Sequence, residues 1–195
     1  GHATQALETA ASAAGRPLVR LEDGFLRSRG LGAELVPPLS LVADDLGIYY
    51  DPSHPSRLDA ILNHSPGLSE AAVDRARRLR ATIVTKGVSK YNTGGAPPDW
   101  PQDRVRILVP GQVEDDATIR LGAGEIRRNI DLLARVRADN PKAFVIYKPH
   151  PDVEAGLRPG KIPAGDLAGL ADAVAGHMDP HLAIQAVDAV WTMTS

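Results

Sequence analysis

Apolar residues recur at helical spacing from Ala3 to Ala14 and stop at Gly15, Arg16 and Pro17, which predicts a helix with a hard end. The following "PLVRL" reads as a short strand, with the acidic pair Glu22 and Asp23 at its end. Two apolar runs within Leu39 to Asp51 flank Asp44, Asp45 and Gly47, the pattern of a hairpin, and Pro52, Ser53 and Pro55 break it. Helical spacing returns over Ser56 to Leu62 and Ser69 to Thr85, the second run with Ser69 as N-cap and exposed Arg75, Arg77, Arg78 and Arg80. From Asn92 to Pro101 the composition turns to Gly, Ala, Pro and Asp, which suits a linker. The pattern therefore divides into a domain over residues 1–92, a linker over 93–102 and a domain over 103–195.

The second domain has a different rhythm. "VRILVP", a glycine-containing loop, a helix from about Gly124 to Ala138 and the run "AFVIYKP" give strand, helix and strand at the spacing of a parallel unit. In open parallel sheets the ligand crevice lies outside the carboxyl ends of the strands, so "PGQVEDD" and "KPHPD" are expected at one edge. "AVDAVWTMTS" reads as a further strand that stops where Thr192, Thr194 and Ser195 would open a phosphate-binding turn.

Composition narrows the function. A 195-residue chain with 43% hydrophobic residues can bury a sizeable core. No apolar run approaches the roughly 18 residues needed to span a bilayer, and the start lacks the pattern of a signal peptide, so a cytoplasmic location is expected. The absence of cysteine removes disulfides and thiolate metal sites. With 22 basic against 24 acidic residues there is no bulk field for nucleic acid, and any anion site must be local.

The strand-end loops hold the candidate chemistry. His150, between two prolines and two residues from Lys148, suits a phosphate, against the plainer reading of a histidine that caps its loop. Glu114, Asp115 and Asp116 read either as a solvated run with Asp116 capping a helix, or as the source of a nucleophile, a base or oxygen ligands for a metal. Glu22 and Asp23, followed by Arg27 and Arg29, are either a structural ion pair or a carboxylate presented across a cleft, with arginines for an anionic substrate. Gly122 and Gly124 match neither the Rossmann fingerprint nor a Walker A loop, so nicotinamide cofactors and ATP are poor fits. Tyr49, Tyr50 and Tyr147 are candidates for stacking a base or for the core. His54, His64, His177 and His181 read as surface residues.

Four segments taken together, "RLEDGFLRSRGLG", "PPLSLVADDLGIYYD", "ILVPGQVEDDATIRLG" and "YKPHPDVEAG", closely resemble the capsule polysaccharide biosynthesis family. Members of that family transfer 3-deoxy-manno-octulosonic acid (Kdo) from its CMP-linked donor. The resemblance implies an α/β fold of the GT-B type, two Rossmann-like domains facing a cleft, here truncated at both ends. It implies a retaining β-Kdo transferase acting by double displacement on a glycolipid-linked Kdo acceptor, working at the inner face of the membrane by peripheral contact and alongside capsule assembly proteins.

The resemblance also implies roles. His150 and Pro151 match a His-Pro motif whose histidine contacts the CMP phosphate, with Lys148 in support. Glu22 or Asp23 would act on the acceptor hydroxyl. Asp115 or Asp116, with Glu114 close by, would carry Kdo transiently. Arg27 would bind a sugar carboxylate, Gln112 would orient the sugar, and Thr194 and Ser195 would begin a turn whose amides face the phosphate. CMP-Kdo is then a substrate, and no cofactor or obligatory metal is expected. Two other readings of the residues stand: an epimerase or phosphorylase of the same build that uses Glu22 and Asp115 as acid and base, and a non-catalytic module that binds CMP or anionic glycan.

Overall fold

The computed structural model describes residues 2–30, 35–90, 92, 95 and 99–194. The alanine-rich start forms α1 (His2–Ala13), and the chain leaves it through Gly15 at φ 60°. Strand β1 (Arg20–Asp23) begins three residues later than "PLVRL" and takes in Glu22 and Asp23 instead of ending before them. It pairs antiparallel with β2 (Leu41–Asp44), Arg20 opposite Asp44 and Asp23 opposite Leu41.

The hairpin expected within residues 39–51 does not form, and Asp44 is the reason. Its Oδ1 accepts the N–H groups of Leu46 and Gly47, both at 2.9 Å, and its Oδ2 accepts that of Arg57 at 2.7 Å. These bonds turn the chain away before the second apolar run can pair back. The same carboxylate anchors the start of α2 (Arg57–Asn63), where Ser56 and Asp59 form a reciprocal capping box. Next, α3 (Glu70–Lys86) starts at Ser69 as expected and ends at Gly87, φ 61°, with no buried residue along it. Among the described residues before 92 there is no parallel strand pair, so the first Rossmann-like sheet expected there is replaced by a two-stranded antiparallel one. The Gly24–Ser40 connection carries no helix among its described residues, and a parallel pairing would need such a crossover.

The linker composition ends in a core residue. Trp100 is buried against Leu108, Ile146 and Met178. Beyond it follow β3 (Arg106–Pro110), α4 (Ala117–Gly122), α5 (Asn129–Asp139), β4 (Phe144–Lys148), α6 (Pro151–Glu154), α7 (Ala164–Leu167), β5 (Ala173–Val174), α8 (Pro180–Gln185) and β6 (Ala189–Val190). Both inner strands are near-continuous apolar runs because both their faces are covered. β3 and β4 pair in parallel from Arg106 opposite Phe144 to Pro110 opposite Lys148, which brings their carboxyl ends level.

The sheet order is β5-β4-β3-β6, all parallel. That is the order of half a nucleotide-binding fold: the chain steps outward from β3 to β5 and then returns to the other side of β3. Such a reversal opens a crevice outside the carboxyl ends of β3 and β6. Ile107, Val109, Val145 and Tyr147 pack with Leu132, Leu133 and Val136 of α5, while Leu108 and Ile146 face Ala183 of α8. Among the described residues no helix is long and apolar enough to cross a membrane.

Candidate functional site at the carboxyl edge of the sheet

Lys148 is the last residue of β4 and only 7% exposed. Burial lowers its pKa, against the pull of the Glu154 and Asp179 charges. Among the described residues no carboxylate comes within ion-pair distance of it. A buried ammonium is costly unless a counter-charge is brought to it.

His150 follows at the N-cap of α6, with Pro151 as the first helical residue. Its Nδ1 accepts the Asp152 N–H at 3.2 Å, which leaves the ring proton of the neutral form on Nε2. Burial, reinforced by the Lys90 and Lys148 charges and opposed by Asp152 and Asp116, lowers its pKa. Burial thus favours the neutral imidazole, whose proton sits on Nε2, and His150 is also the loop cap of the plainer reading.

Both residues line a cleft of about 210 Å³ with Lys90, Gly111, Pro149 and Pro151, over an apolar floor that includes Leu108, Ile184 and Val190. Gly111 is fixed by close approach. Its N–H donates to the Lys148 carbonyl at 2.7 Å, and a Cβ there would lie 2.7 Å from the Tyr147 hydroxyl and 3.2 Å from the His150 nitrogen. Tyr147 is a core residue, not a stacking platform. Its buried hydroxyl has no hydrogen-bond partner among the described residues, and burial together with the Glu114 and Glu154 charges pushes its pKa up to about 12.

The three acids after Gln112 have separate tasks. Glu114 Oε1 accepts the Asn129 N–H at 2.8 Å, at the start of α5. Asp115 is exposed and paired with Arg158 at 2.7 Å. Asp116 is the N-cap of α4: its Oδ1 accepts from the Thr118 N–H at 3.0 Å and from the Thr118 hydroxyl, while Oδ2 lies 4.0 Å from Arg158. Burial alone would raise the Asp116 pKa, but these hydrogen bonds and the Arg158 and Lys90 charges bring it below the ordinary value.

Glu22 lies in β1, in the first part of the chain. Its Oε1 accepts the Tyr50 hydroxyl at 2.8 Å. Burial raises the Tyr50 pKa, and the Glu22 and Asp116 charges raise it further; the same three causes act on Tyr49. The charges of Glu22 and Asp116, 94 positions apart in the chain, thus both bear on one pair of tyrosines. Asp23, whose charge also raises the Tyr49 pKa, is ion-paired with Arg27 at 2.5 Å. Arg27 also donates to the Ser28 hydroxyl at 3.0 Å and the Val36 carbonyl at 2.8 Å, so this buried guanidinium is occupied within its own loop.

Gln112 joins the loops after β3 and β6, its Oε1 accepting the Met193 N–H at 2.9 Å and its Nε2 donating to the Thr194 carbonyl at 3.4 Å. Ser195 lies outside the described residues. Among the described residues no group of three or more histidines and acids gathers to hold a metal ion. The residue that sequence reasoning missed most completely is Asn129, buried, which bonds both backbone groups of Gln112 at 2.8 Å and the Gly160 carbonyl at 3.1 Å. Lys90 was missed too, since nothing in its local sequence links it to the cleft formed by the ends of β3 and β4.

The model of the family described as capsule polysaccharide biosynthesis protein matches residues 2–98 and 95–195 of this chain. The capsule polysaccharide modification protein LipA of Neisseria meningitidis serogroup A is 49% identical over 180 residues, which cover 92% of this chain and 25% of LipA. Two solved structures from Thermosulfurimonas dismutans are similar. The KpsC beta Kdo 2,4 transferase superposes with a TM-score of 0.83 at 32% identity, over 95% of this chain and 58% of that one. The KpsC beta Kdo 2,7 transferase gives a TM-score of 0.71 at 36% identity, over 92% and 52%. The chain thus spans a quarter of LipA's length and somewhat more than half of either KpsC chain.

Proposed function

The chain belongs to the capsule polysaccharide biosynthesis family, and on that premise we propose that its cleft binds CMP-Kdo and serves β-Kdo transfer to a glycolipid-linked Kdo acceptor. The observation that carries this reading is the cleft at the sheet edge, where buried Lys148 and the His150 imidazole meet above an apolar floor. The ammonium and the Nε2–H stabilise the phosphate as CMP leaves, and the floor accepts the nucleoside. The leaving group is a phosphate monoester, which needs cationic and hydrogen-bonding help but no obligatory metal.

The carboxylates divide the remaining work. Asp116 is the nucleophile: Oδ1 is held by Thr118, and Oδ2 is left to attack the anomeric carbon of Kdo. The bond from that carbon to the phosphate oxygen breaks, and CMP takes the electron pair. Glu22 then accepts the proton of the acceptor hydroxyl, whose oxygen attacks the same carbon and releases Asp116. Two inversions give retention, by analogy with retaining glycosidases. Asp115, through Arg158, keeps a guanidinium beside Asp116. Gln112 and Thr194 hold the crevice loops together, and Pro151 shapes the mouth. Asp23 and Arg27 support the Glu22 strand from behind. Access to a lipid-linked acceptor would come through peripheral contact with the inner membrane.

The test is a titration of the chain with CMP, followed through the Gly111 and Lys148 backbone amides by NMR, with UMP and ADP as controls. A CMP-selective shift that disappears in His150→Ala is expected. Equal responses to all three nucleotides, or none to any, would overturn the reading.

A further inference from the structure

The cleft has one wall that the proposed chemistry has not used. Lys90 lines it together with Lys148 and His150, yet it comes from the loop after α3, on the N-terminal side. That loop is held by a set of polar bonds. The Lys90 carbonyl accepts the N–H groups of Arg27 at 3.0 Å and Ser28 at 3.1 Å. Asn92 closes the loop: its Oδ1 accepts the Ser89 N–H at 2.9 Å, and its Nδ2 donates to the Ser28 and Ser89 carbonyls, also at 2.9 Å. Its own N–H donates to the Ser89 hydroxyl at 3.0 Å. Asn92 sits at φ 52°, the left-handed region that asparagine tolerates better than most residues.

An exposed lysine serving only solubility needs no such fixation of its backbone. A lysine that must meet a ligand does, because preorganisation removes part of the cost of binding. Its position also has electrostatic reach, since the Lys90 charge bears on both His150 and Asp116. Two ammonium groups and one imidazole N–H, supplied from both sides of one opening, match the several oxygens of a phosphate. The apolar residues beneath match the rest of a nucleotide.

We propose that Lys90 is a specificity-determining residue of this cleft, contacting the nucleotide phosphate from the N-terminal side and so selecting a phosphorylated nucleoside over the bare nucleoside. The inference rests on the nucleotide reading of the cleft. It also gives buried Arg27 a purpose: with Asp23 it holds the loop that holds Lys90, and its guanidinium does not touch substrate.

Calorimetric titration of the wild-type chain, Lys90→Gln and Lys90→Arg with CMP, UMP, ADP, cytidine and inorganic phosphate tests this. Lys90→Gln should weaken CMP and phosphate by about tenfold or more while leaving cytidine unchanged, as expected for losing a charge-assisted contact. Lys90→Arg should recover most of the loss, and CMP binding by the glutamine variant should depend less on salt. Unchanged CMP and phosphate affinity in Lys90→Gln would overturn the inference, as would an equal loss of CMP and cytidine. If the wild type binds phosphate but does not prefer CMP to UMP or ADP, the CMP reading fails, while an unequal effect of Lys90→Gln on phosphate and cytidine still supports the Lys90 contact. A wild type that binds neither CMP nor phosphate sinks both.

Discussion

Residues before 92 and residues after 99 are held in shape by different forces. Among the described residues of the first part, Ile48 is the sole hydrophobic side chain that is buried, whereas the second part has a continuous set from Trp100 to Ala183 on both faces of its sheet. The first part buries Arg27, Ser28, Asp44 and Ser56 instead, each inside a hydrogen-bond network. Hydrophobic burial is non-directional and settles which elements pack, while hydrogen bonds settle where a particular loop points. The parallel sheet accordingly supplies a rigid edge for Lys148 and His150. The polar networks fix the backbone of Lys90, which lines the cleft at that edge.

The comparison breaks first on a core deletion. Leu133 is fully buried between α5 and the sheet, so Leu133→Ala should cost about 3 kcal/mol in urea unfolding, with a cost that does not change with pH. A loss below about 1 kcal/mol would mean that the sheet's packing is not what holds this part together.

Asp44→Ala should cost less, about 2 kcal/mol at neutral pH, because it strips an ionised acceptor from three backbone N–H groups. Burial alone would raise the Asp44 pKa, but the Gly47, Arg57 and Leu46 N–H groups and the Arg57 charge hold it below the usual carboxylate value. A depressed folded pKa gives stability that is fully present above the unfolded value of about 3.9 and is lost as pH falls through the folded one. The gap between Asp44→Ala and wild type should therefore narrow on acidification below about pH 4, while the Leu133→Ala gap stays constant. Parallel pH dependence of the two would erase the distinction between the halves.

The same division explains what could be read from the sequence. The apolar runs of β3 and β4 declare themselves, and the loops at their ends follow from the rule for parallel sheets, so Lys148, His150 and the Glu114–Asp116 run were legible as neighbours. The two-residue strands β5 and β6 are too short to carry a period of their own; β5 went unseen, and β6 is only a fragment of the strand expected near it. In the first part the deciding contacts are long-range and polar. Nothing in "VADDLG" shows that Asp44 will bind the amide of Arg57, or that Arg27 will turn inward to Asp23 and Val36. Lys90 and Asn129 were invisible for the same reason, since a single polar residue in a loop carries no pattern.

The smallest expected effect tests the sheet of the first part. Leu21 and Leu41 are 63% and 59% exposed on β1 and β2, so Leu21→Ser removes little buried area. Surface substitutions of this kind usually fall within about 0.5 kcal/mol, and urea unfolding of the chain should give that result. β1 would then owe its place to its pairing with β2, the Asp44 turn and the Tyr50–Glu22 bond. A cost above about 1.5 kcal/mol would show that this face is packed against something in solution. The first part would then have an apolar contact of its own, and the contrast with the sheet would be one of degree.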